Sequence, residues 1–153
     1  WSTGSVLPIW KEMYKKNKKI FTTGPHMRRF FFTIDDAVNL VLFALKNSSK
    51  FSGKIVCADM KSSLIIDVLK VWIKNYGGSY KVISNRKGDR LDEFLIGSNE
   101  IQHAYEVNTK NKIYYVIDFN KKAKNCVNKV ISSKNSKKLN NKEISKLLKI
   151  GMN

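Results

Sequence analysis

Met27-Arg28-Arg29-Phe30-Phe31-Phe32-Thr33-Ile34-Asp35-Asp36-Ala37-Val38 changes its period part-way along. Phe30 to Thr33 is apolar and rich in strand-favouring residues, which predicts a short strand. From Asp35 to Lys46 the pattern is helical. Thr33 or Asp35 can cap this helix, Asp36 places negative charge in its first turn, and Val38, Val41, Leu42 and Leu45 fall on one apolar face.

Outward from this unit, residues 5–17 read as a helix, with Val6, Ile9, Trp10 and Met13 at helical spacing, Pro8 in the first turn and Lys15-Lys16 in the last. Lys19 to Thr22 is a short strand, and Gly24-Pro25 is a turn. Gly53 precedes a buried strand, Lys54 to Ala58. Ser62-Ser63 then open a second amphipathic helix through Leu64, Val68, Leu69 and Trp72, ended by Gly77-Gly78. Tyr80 to Ile83 and Lys112 to Asp118 read as strands, and Arg86 to Asp89 as a charged turn. Residues 120–140 are polar and lysine-rich and read as a loop, after which Asn141 caps a last helix with Ile144, Leu147 and Leu148 inward. These are α/β or α+β pieces without a contiguous parallel sheet of their own. No glycine-rich phosphate loop follows any strand, so a complete dinucleotide-binding fold is not expected.

A chain of 153 residues suits one domain, 1–153, with a sizeable core. No apolar run reaches about 18 residues, so no transmembrane helix is expected. The opening Trp1-Ser2-Thr3-Gly4 is neither a methionine start nor a signal peptide, and it reads as the interior of a longer protein. Cys57 and Cys126 lie far apart without histidine ligands nearby, which points to reduced thiols and to no metal site. The net charge is +17, from 29 basic and 12 acidic residues. Such an excess attracts nucleic acid, anionic membrane or a phosphorylated ligand. It is better explained by a Lys- and Asn-rich composition, since the lysines are scattered and outnumber arginine.

Several segments, in order, resemble one family. Gly4-Ser5-Val6-Leu7-Pro8 is similar to G-S-V-I/V-P, and Met27 to Val38 is similar to M-T-R-F-F/W-M/I-T-I/L-D-E-A-V. Gly53-Lys54-Ile55-Val56 resembles G-G-E-I-F, Ile65 to Leu69 resembles I-V-D-L-A, and Arg86 to Glu93 resembles R-P-G-E-K-L-H-E. Together these motifs are those of the polysaccharide-synthesis branch of the extended short-chain dehydrogenases/reductases, near the UDP-N-acetylglucosamine 4,6-dehydratases and the nucleotide-sugar epimerases. The resemblance implies the C-terminal, substrate-binding portion of a Rossmann-type enzyme. The glycine-rich loop for NADP or NAD and the Tyr-x-x-x-Lys pair belong, in that family, to a half that these residues do not contain, so no cofactor or catalytic residue is expected here. A UDP-sugar substrate, the Rossmann half, a homo-oligomer and a cytoplasmic location follow from the same resemblance.

The family also implies ligand contacts. Arg29 matches the arginine of M-T-R-F and Arg86 that of R-P-G-E, which together clamp the diphosphate; a planar fork of five donors suits phosphate oxygens. Asp89 stands where the dehydratases have glutamate and related UDP-galactose epimerases have an aspartate that accepts from ribose hydroxyls. Ile20 and Thr22 lie on the strand that presents backbone groups to uracil, and Ser5 and Val6 lie at the helix entrance beside that pocket. The plain alternatives are an Arg29 paired with Asp35 or Asp36, an Asp89 serving only its turn, and core roles for Val6 and Ile20. Departures from the pattern include Arg28 for threonine and Asp92 for histidine, with Gly24 and His26 in place of acids, and they make the loop near Met27 more cationic. Two other classes remain: a basic nucleic-acid-binding module, disfavoured because the aromatics fall at core spacing and no helix has a continuous basic face, and a non-catalytic interaction module.

Overall fold

The computed structural model describes residues 5–84 and 88–152. The chain starts with α1 (Val6–Asn17), which ends where Lys18 turns into the left-handed region (φ 56°) and donates its backbone N–H to the Tyr14 carbonyl at 2.9 Å. β1 (Lys19–Thr22) follows and pairs in parallel with β5 (Ser79–Val82). Gly78 makes this close return possible. At φ +87° a Cβ there would lie 2.5 Å from the Lys18 carbonyl oxygen.

The predicted strand at Phe30–Thr33 is displaced by two residues. β2 is Arg28–Phe31, and α2 is Ile34–Lys46 with Thr33 as its cap. The Thr33 hydroxyl accepts from the Asp36 N–H at 3.1 Å and the Asp36 carboxylate accepts from the Thr33 N–H at 3.2 Å, a reciprocal capping box that withdraws Thr33 from the strand. β2 pairs antiparallel with β4 (Lys61–Leu64). Ser62-Ser63 therefore do not open the second helix, as their capping chemistry predicts. Both side chains are buried in β4, and α4 begins at Ile65. The short α3 (Ser48–Phe51) leads to β3 (Ile55–Ala58), which joins β8 (Ile113–Ile117) and β7 (Ala104–Asn108) in an antiparallel sheet ordered β3-β8-β7.

β6 (Phe94–Ile96) and β9 (Ile131–Ser132) form a further antiparallel pair. The polar 120–140 segment thus contributes a strand, and Val127, Ile131, Ser132 and Ser133 within it are buried. α5 (Asn141–Met152) closes the described chain. Its capping residue is Asn140, one before the predicted Asn141: Asn140 Oδ1 accepts from the Glu143 N–H at 3.0 Å and the Glu143 carboxylate accepts from the Asn140 N–H at 2.9 Å.

Two cores result. α4 (Ile65–Tyr76) buries Ile65, Val68, Leu69, Val71 and Trp72 against Leu7 and Trp10 of α1, Ile20 of β1, and Ile144 and Leu148 of α5. Trp72 is its centre, edge-on to Trp10 (6.2 Å between centroids) and to Tyr14 (5.9 Å). The second core gathers Ile96, Ala104, Tyr115, Ile117, Val127 and Ile131. α2 belongs to neither. It is fixed by Phe43 stacked on Tyr114 at 3.7 Å, while Val38, Val41, Leu42 and Leu45 face outward, Leu45 being 63% exposed. The apolar face of this helix is a surface of this chain.

Candidate functional site

The site is built where the segment after Gly88 (φ +89°) runs back along β2. The Arg28 N–H donates to the Leu91 carbonyl at 2.8 Å, and the Phe30 N–H donates to the Glu93 carboxylate at 2.9 Å. Beneath them, Ser133 accepts from the Glu93 N–H through its Oγ at 2.9 Å and donates its own N–H to the Glu93 carbonyl at 2.8 Å. Ser133 and Ser62 are fully buried, and their environment is completed by Lys138, whose Nζ donates to Ser62 Oγ at 2.9 Å and to the Ser133 carbonyl at 2.5 Å. Burial holds the Lys138 ammonium below the usual lysine range, with the Arg28 charge adding to that direction and Asp92 opposing it. A lysine against a serine hydroxyl is a pairing that can activate a nucleophile. Here, however, Ser62 Oγ donates to the Ser133 carbonyl at 2.7 Å and has no exposed surface, so it holds segments together.

On this platform stand two adjacent arginines and two adjacent acids. Arg28 reaches Asp92 at 3.1 and 3.3 Å. Arg29 lies 3.5 Å from Glu93 through Nε, donates through Nη1 to the Arg28 carbonyl at 2.8 Å, and through Nη2 approaches the Met27 sulfur at 2.9 Å. Asp35 and Asp36 are therefore not its partners. Asp36 instead meets Lys112 at 2.6 Å. The cationic reading of Arg28 is also corrected, because its charge is matched by Asp92.

The other predicted residues divide. Ile20 is a core side chain with no exposed surface. Thr22 is buried, its hydroxyl donates to the Thr23 carbonyl at 3.2 Å, and its own carbonyl accepts from the Ile83 N–H at 2.9 Å, so β1 leads directly to the segment after β5. Val6 packs on the first core. Ser5 occupies the N-cap of α1 in extended geometry with its side chain unused for capping, which leaves that helix end open. Asp89 is exposed beside Gly88. Arg86 lies outside the described residues. Arg29 and the 88–93 segment are thus brought together, and Met27, buried next to Gly24, connects them to the end of β1. A cleft of about 920 Å³ lies elsewhere, between the Phe31 and Lys61 ends of β2 and β4, the 109–113 turn and α5, and no predicted residue among those described lines it. Glu93 and Asp92 were missed as organisers of the site, since they stand more than 60 positions from their arginines and nothing local announces the pairing.

The family model described as polysaccharide biosynthesis protein matches residues 1–117. The chain belongs to the polysaccharide biosynthesis protein family. Its relatives include an uncharacterized membrane protein of Methanocaldococcus jannaschii, 36% identical over 97% of this chain and 46% of that protein. A UDP-glucose 4-epimerase of Rickettsia akari is 28% identical over 96% of the chain and 46% of its own length. The crystal structure titled Pen from Bacillus thuringiensis superposes with a TM-score of 0.81 at 23% identity, over 99% of this chain and 46% of that one, which shows a shared fold. The chain therefore spans under half the length of the relatives it matches, as a partial Rossmann-type extended short-chain dehydrogenase/reductase of mixed α/β structure. No helix among the described residues is long and apolar enough to cross a membrane. The described residues contain no strand–glycine loop–helix cradle of the kind that holds a dinucleotide.

Proposed function

We propose that the chain is the nucleotide-sugar-binding portion of an NAD(P)-dependent enzyme of polysaccharide synthesis, with Arg29 contacting the diphosphate, Arg86 opposing it, Asp89 accepting from ribose, and Ile20, Thr22, Ser5 and Val6 lining the nucleoside end. The observation that carries this reading is the convergence of Arg29 and the 88–93 segment on one edge of β2. The Arg29–Glu93 contact is long and the arginine side chain is a quarter exposed, so a diphosphate bearing two charges competes well for that guanidinium edge. The substrate favoured by the motifs is UDP-N-acetylglucosamine, with 4,6-dehydration in the complete enzyme. The Rickettsia relatives named UDP-glucose 4-epimerase favour C4 epimerisation as the second reading, which requires the same binding groups.

In this reading the outward face of α2 is the seam to the other half of the enzyme, and the protein works in the cytoplasm as a homo-oligomer. The test is calorimetric titration with UDP, UDP-N-acetylglucosamine and UDP-glucose at two salt concentrations. Loss of Arg29 as Arg29→Ala removes charge-assisted hydrogen bonds of about 1.5–3 kcal/mol, which is roughly a ten- to hundredfold weaker Kd. Tight binding to random DNA without response to any UDP ligand overturns the proposal.

A further inference from the structure

Positions 28 and 92 are two of the places where this sequence departs from the motifs it otherwise resembles, with arginine in place of threonine and aspartate in place of histidine. The two departures face each other. Arg28 Nη1 meets both Asp92 oxygens, at 3.1 and 3.3 Å, across 64 positions of sequence. Neither side chain is a loose surface group, at 28% and 16% exposed. Ser133 Oγ lies 3.2 Å from the same Asp92 oxygen and 3.3 Å from the Arg28 carbonyl, so the pair sits on the buried Ser133–Ser62–Lys138 platform.

We infer that Arg28 and Asp92 are a positioning pair that fixes the ligand edge of Arg29. The consequence of breaking it follows from the charges on this edge, where Arg28, Arg29 and Lys138 face Asp92 and Glu93. With Arg28 gone, Asp92 is a largely buried carboxylate that has lost its direct partner, and the cations left on this edge are Lys138, which already senses its charge, and Arg29, the residue next to the vacated position. With Asp92 neutralised, Arg28 is the uncompensated charge, and the acid next in line is Glu93, the partner of Arg29. Either single change redirects Arg29 through its neighbours, whereas replacing both together leaves the Arg29–Glu93 contact undisturbed. The pair thus explains how an added arginine is tolerated beside the arginine proposed to bind phosphate, without becoming a second anion ligand.

The part of this inference that concerns the ligand rests on the nucleotide-sugar reading, and the experiment separates the two. UDP affinity and the amide hydrogen exchange of residues 91–93 are measured for the wild-type chain, Arg28→Thr, Asp92→Asn, Asp92→His and the double variant Arg28→Thr/Asp92→His. Each single variant is expected to weaken UDP binding by about tenfold and to speed exchange at 91–93, with the double variant returning both toward wild type. Tighter UDP binding in Asp92→Asn makes Arg28 a latent anion ligand and overturns the inference. Singles that melt earlier yet bind UDP as the wild type does reduce the pair to a brace and also overturn it. If the wild-type chain binds no UDP, this portion does not form the pocket without the other half of the enzyme, and the exchange measurement decides: additive effects in the double variant overturn the positioning pair.

Discussion

Replacing Asp36 by alanine tests how α2 is attached. Its carboxylate accepts from the Thr33 N–H, accepts the Thr33 hydroxyl at 2.6 Å, and meets Lys112 of the β7–β8 turn at 2.6 Å. Acid in the first turn of a helix contributes about 0.3–1 kcal/mol, and an ion pair as exposed as this one about 0.2–1 kcal/mol. With the reciprocal cap weakened, the total is about 1–2 kcal/mol, which for a chain of this size lowers Tm by roughly 2–8 °C. Burial pushes the Asp36 carboxyl up, but hydrogen bonds from Lys112 and Thr33 outweigh it and the group ends below the ordinary aspartate range. A depressed carboxyl contributes stability above its unfolded pKa and loses it as pH falls through the folded value, so the difference between wild type and Asp36→Ala is full at about pH 7 and closes below about pH 4. Thermal unfolding followed by circular dichroism across that range measures it, with Lys112→Ala expected to reproduce only the smaller, salt-sensitive part. An equal gap at about pH 7 and about pH 3 would refute the assignment of the effect to the ionised carboxylate.

Two leucines of the same size give opposite expectations. Leu69→Ala, in the first core with no exposed surface, is expected to cost about 2–5 kcal/mol in urea unfolding, whereas Leu45→Ala on the outward face of α2 changes stability by no more than about 0.5 kcal/mol. Comparable losses would mean that α2 is packed inward in solution. The two thiols also separate. Cys126 is exposed, while Cys57 is half-buried and burial, reinforced by the Glu100 carboxylate, pushes its thiol up. A disulfide reagent at neutral pH is therefore expected to modify Cys126 well before Cys57, and equal rates in Cys57→Ser and Cys126→Ser proteins would contradict the structure.

Periodicity carried α1 and α4, because their apolar residues repeat at a helical spacing that buries one side, whereas β8 is buried on both faces from Tyr114 to Ile117. The same argument found α2 but not the role of its apolar face. Its stripe of Val38, Val41, Leu42 and Leu45 states that a face is apolar, not that this chain covers it, and the residues that do attach the helix, Phe43 and Asp36, are not part of that stripe. Ser62 and Ser63 were illegible for a different reason. Serine before an apolar run is good capping chemistry, yet here the hydroxyl of Ser62 is satisfied by the 133–138 segment more than 70 positions away, which makes a buried strand possible. β9 shows the converse, since two buried residues in a lysine-rich stretch are too few to set a period.

The excess of positive charge is the feature most easily misread, and its fate in the fold decides what it means. Lys54 faces Asp118, Lys61 faces Glu143, Lys112 faces Asp36, and the two arginines of β2 face Asp92 and Glu93. Lys138 caps buried oxygens. Five of the twelve acids are thus committed to cations that brace separate parts of the chain, among them α2, β2, β4, the β7–β8 turn, α5 and the ends of β3 and β8. A phosphate-bearing ligand is not selected by the sum of charge, which salt screens within about 8 Å at physiological ionic strength. It is selected by a cation whose geometry is fixed before the ligand arrives, because the ordering cost is then already met by the fold. Among the described residues Arg29 meets that condition: its fork is oriented by the Arg28 carbonyl and by Met27, which leaves the edge toward Glu93 for the ligand, while its neighbour is held by Asp92. Specificity for a nucleotide sugar, on this argument, depends on acids as much as on bases.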